Sequence, residues 1–326
     1  ISFGSQDYKE KEFLLHRNEF LSNKVRFNNM PDGILLYWIT DSTAKLFTES
    51  LLEDYIDVKQ GVATSDNNRF LRLWFEVDNN RIGFDLEPEQ ARESEYKWFP
   101  YNKGGTAIRW YGNQDYVVNY YHDGFEMKAF HEILNKDHPG GRLKNPEYYF
   151  KEGFTWSTLS NVFAVRYCEK GMIFDTKGSM GFVKTNEDLF YFIGLLNSIV
   201  GRYWMSLLAP TLDFNPIALR HVPIIIEHNN ELIDKIKACI ELSEELWAIN
   251  ECGWSFQRHI LIENLTPRIA DSVNLAIQKI ETTQQKIQDY ERDIDAEFIR
   301  IYGLNNEIRE YDDSNNNLII KWTVKD

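Results

Sequence analysis

The residues best suited to chemistry lie in an aromatic and basic segment, residues 97–113 (KWFPYNKGGTAIRWYGN). It contains three basic residues, no acidic residue and five aromatic ones. Its centre predicts a tight turn between two strands with Lys103 at the tip, where Gly104 and Gly105 would let backbone amides approach a phosphate. Cations such as Lys103 and Arg109 among aromatic rings suit contact with a nucleic-acid backbone and its bases. The alternative is a structural hairpin whose rings are core and whose charges are solvated.

Two further segments combine cations with hydrogen-bonding side chains. Residues 61–72 (GVATSDNNRFLR) form a loop before a strand, and amides and hydroxyls beside arginines are typical readers of base edges in the major groove. A polar loop that caps a helix is the alternative for this segment. Residues 149–157 (YFKEGFTWS) contain a lysine and a threonine, and two isolated cations follow. The predicted base-edge readers are Thr64, Asn67, Arg69 and Arg72. The other predicted DNA contacts are Lys103, Gly104, Gly105, Arg109, Lys151, Thr155, Arg166 and Lys177, whose lysines and arginines would bind phosphates.

Catalytic motifs are limited to two near-misses. The sequence has no GxxxxGK[ST], GxGxxG or HExxH pattern, and its seven histidines lack metal-ligand spacing. Residues 145–148 (NPEY) resemble the Asn-Pro-Pro-Tyr loop that binds a flipped adenine, but a glutamate replaces the second proline, which favours a simple turn. Asp32, Asp57 and Lys59 fit a PD…(D/E)xK nuclease pattern, in which paired carboxylates hold Mg²⁺. This nuclease alternative predicts Mg²⁺-dependent DNA cleavage that disappears in Asp57→Ala. We therefore predict no catalytic residue and no metal site in this chain.

Composition and charge indicate a globular protein whose charge is unevenly distributed. The 326 residues are 43% hydrophobic and carry a formal net charge of −14, which argues against a generic nucleic-acid binder. Residues 231–326 carry 11 basic and 19 acidic side chains, whereas residues 58–145 carry 12 and 13. The nearly neutral middle of the chain can therefore still present a basic face. Three cysteines without CxxC spacing indicate a reducing, cytoplasmic location.

The elements that must position these residues follow from hydrophobic periodicity. The pattern predicts a helix over 6–26, a strand over 34–39 and a short helix over 43–54. Residues 58–184 are β-rich, with strands expected at 70–77, 97–101, 106–111, 116–121, 162–167, 171–175 and 179–183, the last three joined by hairpin turns. Residues 186–208 predict one apolar helix, capped by Asn186. Arg202 and Asn197 within it favour a buried helix over a membrane span.

The last third of the sequence is predicted to be helical. An amphipathic helix covers 231–250. A seven-residue hydrophobic repeat over 267–301 then predicts a coiled-coil helix that ends at Gly303. Its seam is Val273, Ile280, Ile287, Ile294 and Ile301. This seam must be covered either by the 231–250 helix or by a partner protein. Residues 318–324 predict a terminal strand.

Several of these segments, in this order, resemble the C-terminal part of the adenine-specific DNA methyltransferases of BREX/Pgl phage-exclusion systems (PglX type). These are similar to fused restriction–modification enzymes with a TaqI-like specificity domain. The resemblance lies in residues 61–77, 97–113, 149–157, 171–182 (GMIFDTKGSMGF), 195–198 (LLNS) and 210–223 (PTLDFNPIALRHVP). It implies a target recognition domain with the methyltransferase core upstream. It also implies that the later helices act as a spacer or docking rod.

Together these observations predict an α+β fold, with a β-rich target recognition domain followed by a helical, partly coiled-coil domain. The expected divisions are a connector from the catalytic core (1–57), the recognition domain (58–225), the helical spacer (226–302) and a tail with a short strand (303–326). The expected function is sequence-specific recognition of duplex DNA for an adenine-N6 methyltransferase. The chain alone is expected to be inactive and to hold no cofactor, since the resemblance implies that S-adenosylmethionine binds the full-length enzyme. Expected partners are double-stranded DNA, the methyltransferase core and a possible defence-system protein at the helical domain, but no membrane. A protein-interaction scaffold with no DNA affinity is the remaining alternative.

Overall fold

The computed structural model describes residues 6–16, 30–137, 142–305 and 307–308. Within these ranges the chain has the expected α+β fold. The strands are β1 Ile56–Lys59, β2 Leu71–Leu73, β3 Trp98–Asn102, β4 Tyr116–Asn119, β5 Gly153–Trp156, β6 Val165–Cys168, β7 Ile173–Phe174 and β8 Met180–Val183. The helices are α1 Gln6–Leu14, α2 Asp41–Leu46, α3 Leu52–Tyr55, α4 Asn67–Phe70, α5 Pro88–Glu93, α6 Tyr121–Asp137, α7 Leu189–Asn197, α8 Ile199–Leu208, α9 Pro216–Arg220, α10 Asn230–Ala248, α11 Ile260–Glu263 and α12 Ile269–Tyr302.

The strands form two four-stranded sheets. The first sheet has the order β1-β8-β5-β6, and the second has the order β2-β4-β3-β7, in which β3 and β7 run parallel. Because successive side chains of a strand point to opposite faces, each face of the first sheet has its own partner. Met180 and Phe182 pack against the second sheet, in one core with Tyr101 and Phe174. Phe154 and Trp156 face a second core shared with the helices. The first sheet is therefore the middle layer, buried on both faces.

The connections between strands correct two predictions. The last three strands do not form consecutive hairpins, because β6 and β8 belong to the first sheet and β7 to the second. Residues 106–111 are not a strand, and β3 pairs instead with β4 beyond them. Trp110, Gly112 and Asn113 have positive φ, which ends any regular strand there. The Trp110 amide donates to the Val165 carbonyl, so this segment attaches to the edge of the first sheet.

The apolar helix predicted over 186–208 is broken in the middle. Ser198 has extended backbone, and its hydroxyl accepts a hydrogen bond from the Gly201 amide at 3.2 Å, which starts α8 as a separate helix. Asp188, not Asn186, caps α7. Nearer the N-terminus, residues 34–39 form no strand and the helix predicted over 43–54 is two short helices, α2 and α3. Among the described residues, no helix is long and apolar enough to cross a membrane.

The helical layer confirms the two helices predicted over 231–250 and 267–301. α10 lies where the amphipathic pattern placed it, and α12 is a 34-residue helix that ends at Gly303, whose φ is +65°. Ile287, Ile294 and Phe298 of α12 are buried in one core with residues of α10 and α8, so the seam from Ile280 to Ile301 is covered within this chain. The strand predicted over 318–324 and the second half of the helix predicted over 6–26 lie outside the described residues.

Candidate nucleic-acid interface

The loop before β2 is held by the second sheet and by a short helix. Val62 donates its amide to the Phe174 carbonyl at 2.7 Å, and a Cβ atom at Gly61 would lie 1.9 Å from the same oxygen, so only glycine fits there. The Asp66 carboxylate accepts from the Arg69 amide and caps α4. These contacts leave Asn67 and its neighbour Asn68 exposed on the first turn of α4.

Two cations and two amides meet in one open groove. Arg72 and Lys103 line it together with Asn67 and Asn68, and its volume is about 380 Å³. β2 and β3 both pair with β4, which brings Lys103, the residue after β3, beside β2. The Lys103 ammonium lies 4.5 Å from the centre of the Tyr116 ring. The Arg72 guanidinium donates to the carbonyls of Asn68 and Leu71 and lies 5.8 Å from the Trp98 ring centre. The structure thus brings together three of the predicted contacts: Asn67, Arg72 and Lys103.

Carboxyl groups also lie close to this groove. Glu76 lines it and accepts a hydrogen bond from the Leu73 amide at 2.8 Å. Burial raises the pKa of Asp115 and of Asp175, and the charge of Lys103 opposes both shifts. The positive charge of the groove is therefore confined to the neighbourhood of Arg72 and Lys103, because carboxyl groups lie around them.

The two glycines after Lys103 form a tight turn. Their φ values are +87° for Gly104 and +103° for Gly105, which favour glycine. Gly104 is buried against the backbone of Lys177, and its carbonyl accepts from the Asn113 amide group at 2.9 Å. Gly105 is exposed, and its carbonyl accepts from Ser157 at 2.7 Å. The Lys177 side chain is exposed beside this turn, so Gly105 and Lys177 are accessible whereas Gly104 is not.

Arg109 requires a correction, because its side chain lies inside the protein. Its guanidinium is 3.1 Å from the Glu291 carboxylate of α12, and both side chains are 2% exposed. The Trp110 indole donates to the same carboxylate at 2.7 Å. Nearby, Asp295 lies 3.6 Å from Arg202 and accepts from the Ile199 amide at 2.7 Å. Arg109 joins the sheets to the long helix and cannot reach a DNA phosphate in this arrangement. The sequence signal for this contact was the pair of acids, Glu291 and Asp295, which follow Ile287 at helical spacing and so lie beside the hydrophobic seam.

Thr64, Thr155 and Arg166 need the same correction. Arg166 and Thr155 lie on the face of the first sheet that packs on the second, because of strand alternation. Arg166 donates to the carbonyls of Thr106 and Gly104, and burial lowers its pKa to about 10. Thr155 accepts from Asn102 at 2.6 Å and donates to the Ser179 carbonyl. Thr64 is buried and donates to Asn67. A DNA surface cannot contact these three side chains directly.

Two other predicted contacts are exposed but lie apart from the groove lining. Arg69 forms an ion pair with Glu126 at 2.8 Å, and its guanidinium lies 4.9 Å from the Phe130 ring centre. Lys151 is exposed, with its ammonium 5.0 Å from the centre of the Tyr148 ring. The predicted cations therefore do not form a single face. Arg109 and Arg166 are buried. The remaining cations are accessible at the surface: Arg69, Arg72, Lys103, Lys151 and Lys177.

The two near-miss motifs meet in space. The Tyr148 hydroxyl donates to Asp57 at 2.8 Å, and Lys59 lies 3.5 Å from the same carboxylate. The Asn145 amide group donates to the Gln60 carbonyl at 2.8 Å, and this hydrogen bond holds the turn in place. In the part of the chain that the structure describes, no group of three or more histidine, cysteine or acidic residues could hold a metal ion. These contacts give the nuclease alternative no support.

Comparison with curated proteins finds two relatives. The chain is 28% identical over 326 residues to the adenine-specific methyltransferase PglX of Lacticaseibacillus casei (strain Zhang), an alignment that covers 94% of this chain and 27% of that protein. It is 34% identical over 260 residues to the adenine-specific methyltransferase BrxX of Escherichia coli O9:H4 (strain HS), covering 78% of this chain and 20% of that protein. The chain thus spans about a quarter of one relative and a fifth of the other. No family model matches it.

Proposed function

Because this chain is homologous to a region of the PglX and BrxX adenine-specific methyltransferases, we propose that it recognises duplex DNA for adenine-N6 methylation in a phage-exclusion or restriction–modification system. The homology confirms the family resemblance in the sequence. Methyl transfer and S-adenosylmethionine binding are proposed to reside in the part of the relatives that this chain does not span. The chain itself would supply specificity and not chemistry.

One observation carries the proposal: the groove that places Asn67, Asn68, Arg72 and Lys103 side by side. Asparagine amides pair with the edge of adenine, and arginine pairs with the edge of guanine, through two hydrogen bonds each. One terminal nitrogen of Arg72 donates to two backbone carbonyls, and these hydrogen bonds hold the guanidinium in place. Its other N–H groups are available to hydrogen-bond a base. Lys103 beside them would contact a phosphate and fix the register of the duplex.

The cations outside the groove would add affinity without specificity. Lys177 beside the glycine turn and the more distant Lys151 are exposed. Each phosphate neutralised by such a lysine releases counterions, so the logarithm of the binding constant falls by about 0.9 per neutralised phosphate for each unit of log salt concentration. A protein with a net charge of −14 gains little from long-range attraction, and local contacts must therefore carry the binding.

The division of labour in the chain is part of the proposal. Residues 58–225 would form the recognition domain and residues 226–302 a helical spacer, with residues 1–57 leading in from the methyltransferase core. The buried Arg109–Glu291 pair would hold the recognition domain against α12, so that the groove keeps a fixed orientation relative to the spacer.

The test is a binding titration on duplex DNA at several salt concentrations, comparing the wild-type chain with Arg72→Gln. We expect steeply salt-dependent binding by the wild type. Arg72→Gln should weaken binding to the preferred duplex by about 1 to 3 kcal/mol and reduce discrimination between duplexes. Lys279→Gln, on α12 and far from the groove in sequence, is the matched control and should leave both unchanged. Absence of binding at low salt, or equal discrimination by Arg72→Gln, would contradict the proposal.

A further inference from the structure

A cluster of lysines surrounds Tyr148 at the edge of the first sheet. Tyr148 ends a short turn, and its ring packs 4.9 Å, centre to centre, from Phe182 of β8. Phe182 is paired in register with Asp57 of β1, and Asp57 accepts a hydrogen bond from the Tyr148 hydroxyl. Two contacts on adjacent strands thus fix the ring. The NPEY turn (residues 145–148) and residues 57–59 (DVK) of β1 are far apart in the sequence. They come together to form this cluster.

The ring is flanked by cations. The ammonium of Lys59 lies 4.8 Å from its centre, and that of Lys151 lies 5.0 Å from it. Lys184, the residue after β8, is exposed, and its charge helps to lower the pKa of Asp57. Two lysines therefore flank a single aromatic ring at the edge strand, and Lys184 follows two residues after Phe182, which packs against that ring.

The charges at this place are not balanced. Asp57 is already engaged by the Tyr148 hydroxyl and by Lys59. Glu147 is the other acid whose charge acts on Tyr148, and it is exposed. Within the described residues, Lys151 and Lys184 form no ion pair, so the local excess is positive in a chain that is acidic overall. An anion would complete the cluster, and lysines act as point charges toward phosphate.

The cluster is near enough to the groove to share one ligand with it. The chain runs from Lys59 at the end of β1 to Asn67 at the start of α4, and eight residues span at most about 29 Å. One turn of duplex DNA is about 34 Å long. The distance between the two places is therefore shorter than one turn of a duplex.

We propose that Lys59, Lys151 and Lys184 around Tyr148 form a second anion-binding site that takes the phosphodiester backbone of the same duplex. This inference rests on the proposed function. The groove reads bases, and the Tyr148 cluster binds backbone about one turn or less away. Lys59 and Tyr148 would then contact the DNA backbone, a role different from the catalytic ones that the two near-miss motifs suggested.

The test compares the wild-type chain with the double variant Lys59→Gln/Lys151→Gln in salt-titrated binding to duplex DNA. We expect the salt slope to fall by about 0.9 for the phosphate that Lys151 no longer neutralises, and by less for Lys59, because Asp57 partly neutralises it. Discrimination between duplexes should stay unchanged, because phosphate contacts carry no sequence information. The charge-preserving variant Lys59→Arg/Lys151→Arg should restore the slope.

The outcomes separate this inference from the proposed function. If Arg72→Gln loses discrimination while Lys59→Gln/Lys151→Gln keeps the wild-type slope, the second site is refuted and the groove assignment stands. The lysines would then serve to protect the edge strand from pairing with other chains. If the wild-type chain binds no duplex at low salt, both proposals fail. Equal unfolding midpoints for wild type and variants exclude a loss of fold as the cause of a lowered slope.

Discussion

Lys103 and Arg109 belong to one basic and aromatic segment, yet they lie in two different regions of the molecule. Lys103 lines an open groove beside Arg72 and two exposed amides. Arg109 is 2% exposed and pairs with Glu291 between the sheets and the long helix. Cations interleaved with aromatic rings therefore do not distinguish a ligand surface from an internal joint. The position of the nearest carboxylate makes that distinction.

The internal joint can be broken from its acidic side. Glu291→Ala leaves the Arg109 guanidinium buried without its charge partner, and we expect the free energy of unfolding to fall by about 3 to 5 kcal/mol. Denaturant unfolding measures this loss. The double variant Arg109→Met/Glu291→Leu should recover most of it, because apolar residues of similar volume replace a buried pair at little net cost. A loss below about 1 kcal/mol for Glu291→Ala would mean that the pair does not join the two layers.

The surface region should respond in the opposite way. Lys103→Gln is expected to weaken binding to every duplex and to lower the salt slope by about 0.9, because one phosphate is no longer neutralised. Its free energy of unfolding should change by less than about 0.5 kcal/mol, as is usual for surface substitutions. Fluorescence anisotropy of labelled DNA at several salt concentrations measures the salt slope, and denaturant unfolding of the same variant measures its stability. A large loss of stability would show that Lys103 supports the fold instead.

Outside the joint, Glu169, the residue after β6, lies near other acids, which gives the stability of the fold a pH dependence. Burial, followed by the charges of Glu244 and Asp85, raises the pKa of Glu169 from 4.5 to about 7. A carboxyl with a raised pKa in the folded state stabilises the fold below its unfolded pKa, and that contribution is lost as the pH rises through about 7. Glu169→Gln should therefore be more stable than the wild type at pH 8 and nearly equal to it at pH 4. Thermal unfolding midpoints at the two values test this, and a difference independent of pH would contradict it.

The smallest effect is expected at Arg69, which is exposed but already paired. Its ion pair with Glu126 partly neutralises it, and exposed pairs are worth about 0 to 1 kcal/mol. Arg69→Gln should lower DNA affinity less than Arg72→Gln does and should change stability by less than about 1 kcal/mol. Parallel titrations of the two variants on one duplex rank them. If Arg69→Gln has the larger effect, the base-reading surface lies on α4 outside the groove.

Patterns local to the chain predicted the elements best. The seven-residue repeat predicted α12 and the glycine predicted its end at Gly303, since a helical period and a helix cap both depend only on residues close together in the sequence. The break at Ser198 escaped the prediction because two polar residues, Asn197 and Ser198, inside a long apolar run do not by themselves end a helix. The Ser198 cap competes with helix only once Gly201 packs closely against Leu195 and Leu196. Strand pairing escaped it as well, since β7 leaves its neighbours for the other sheet.

The candidate site was predictable in its residue types but not in its grouping. Asn67, Arg72 and Lys103 come together because β2 and β3 share β4 as a partner, which no spacing in the sequence states. Arg166 and Thr155 were wrongly predicted to be exposed. The alternation of polar and apolar residues along β5 and β6 indicates a polar face, but it cannot show that the second sheet covers that face. Arg109 was misplaced because its partner, Glu291, lies far along the chain. Tyr148 and Lys59 were assigned to separate motifs for the same reason.

Lysine reactivity with and without duplex DNA shows whether the duplex lies across the groove. The chain is acetylated under limiting conditions, and the modification at each lysine is measured by mass spectrometry. We expect DNA to protect Lys103 strongly while Lys279 on α12 reacts equally in both states. Equal reactivity of Lys103 with and without bound DNA, at a DNA concentration that saturates binding, would contradict the claim that the duplex lies across this groove.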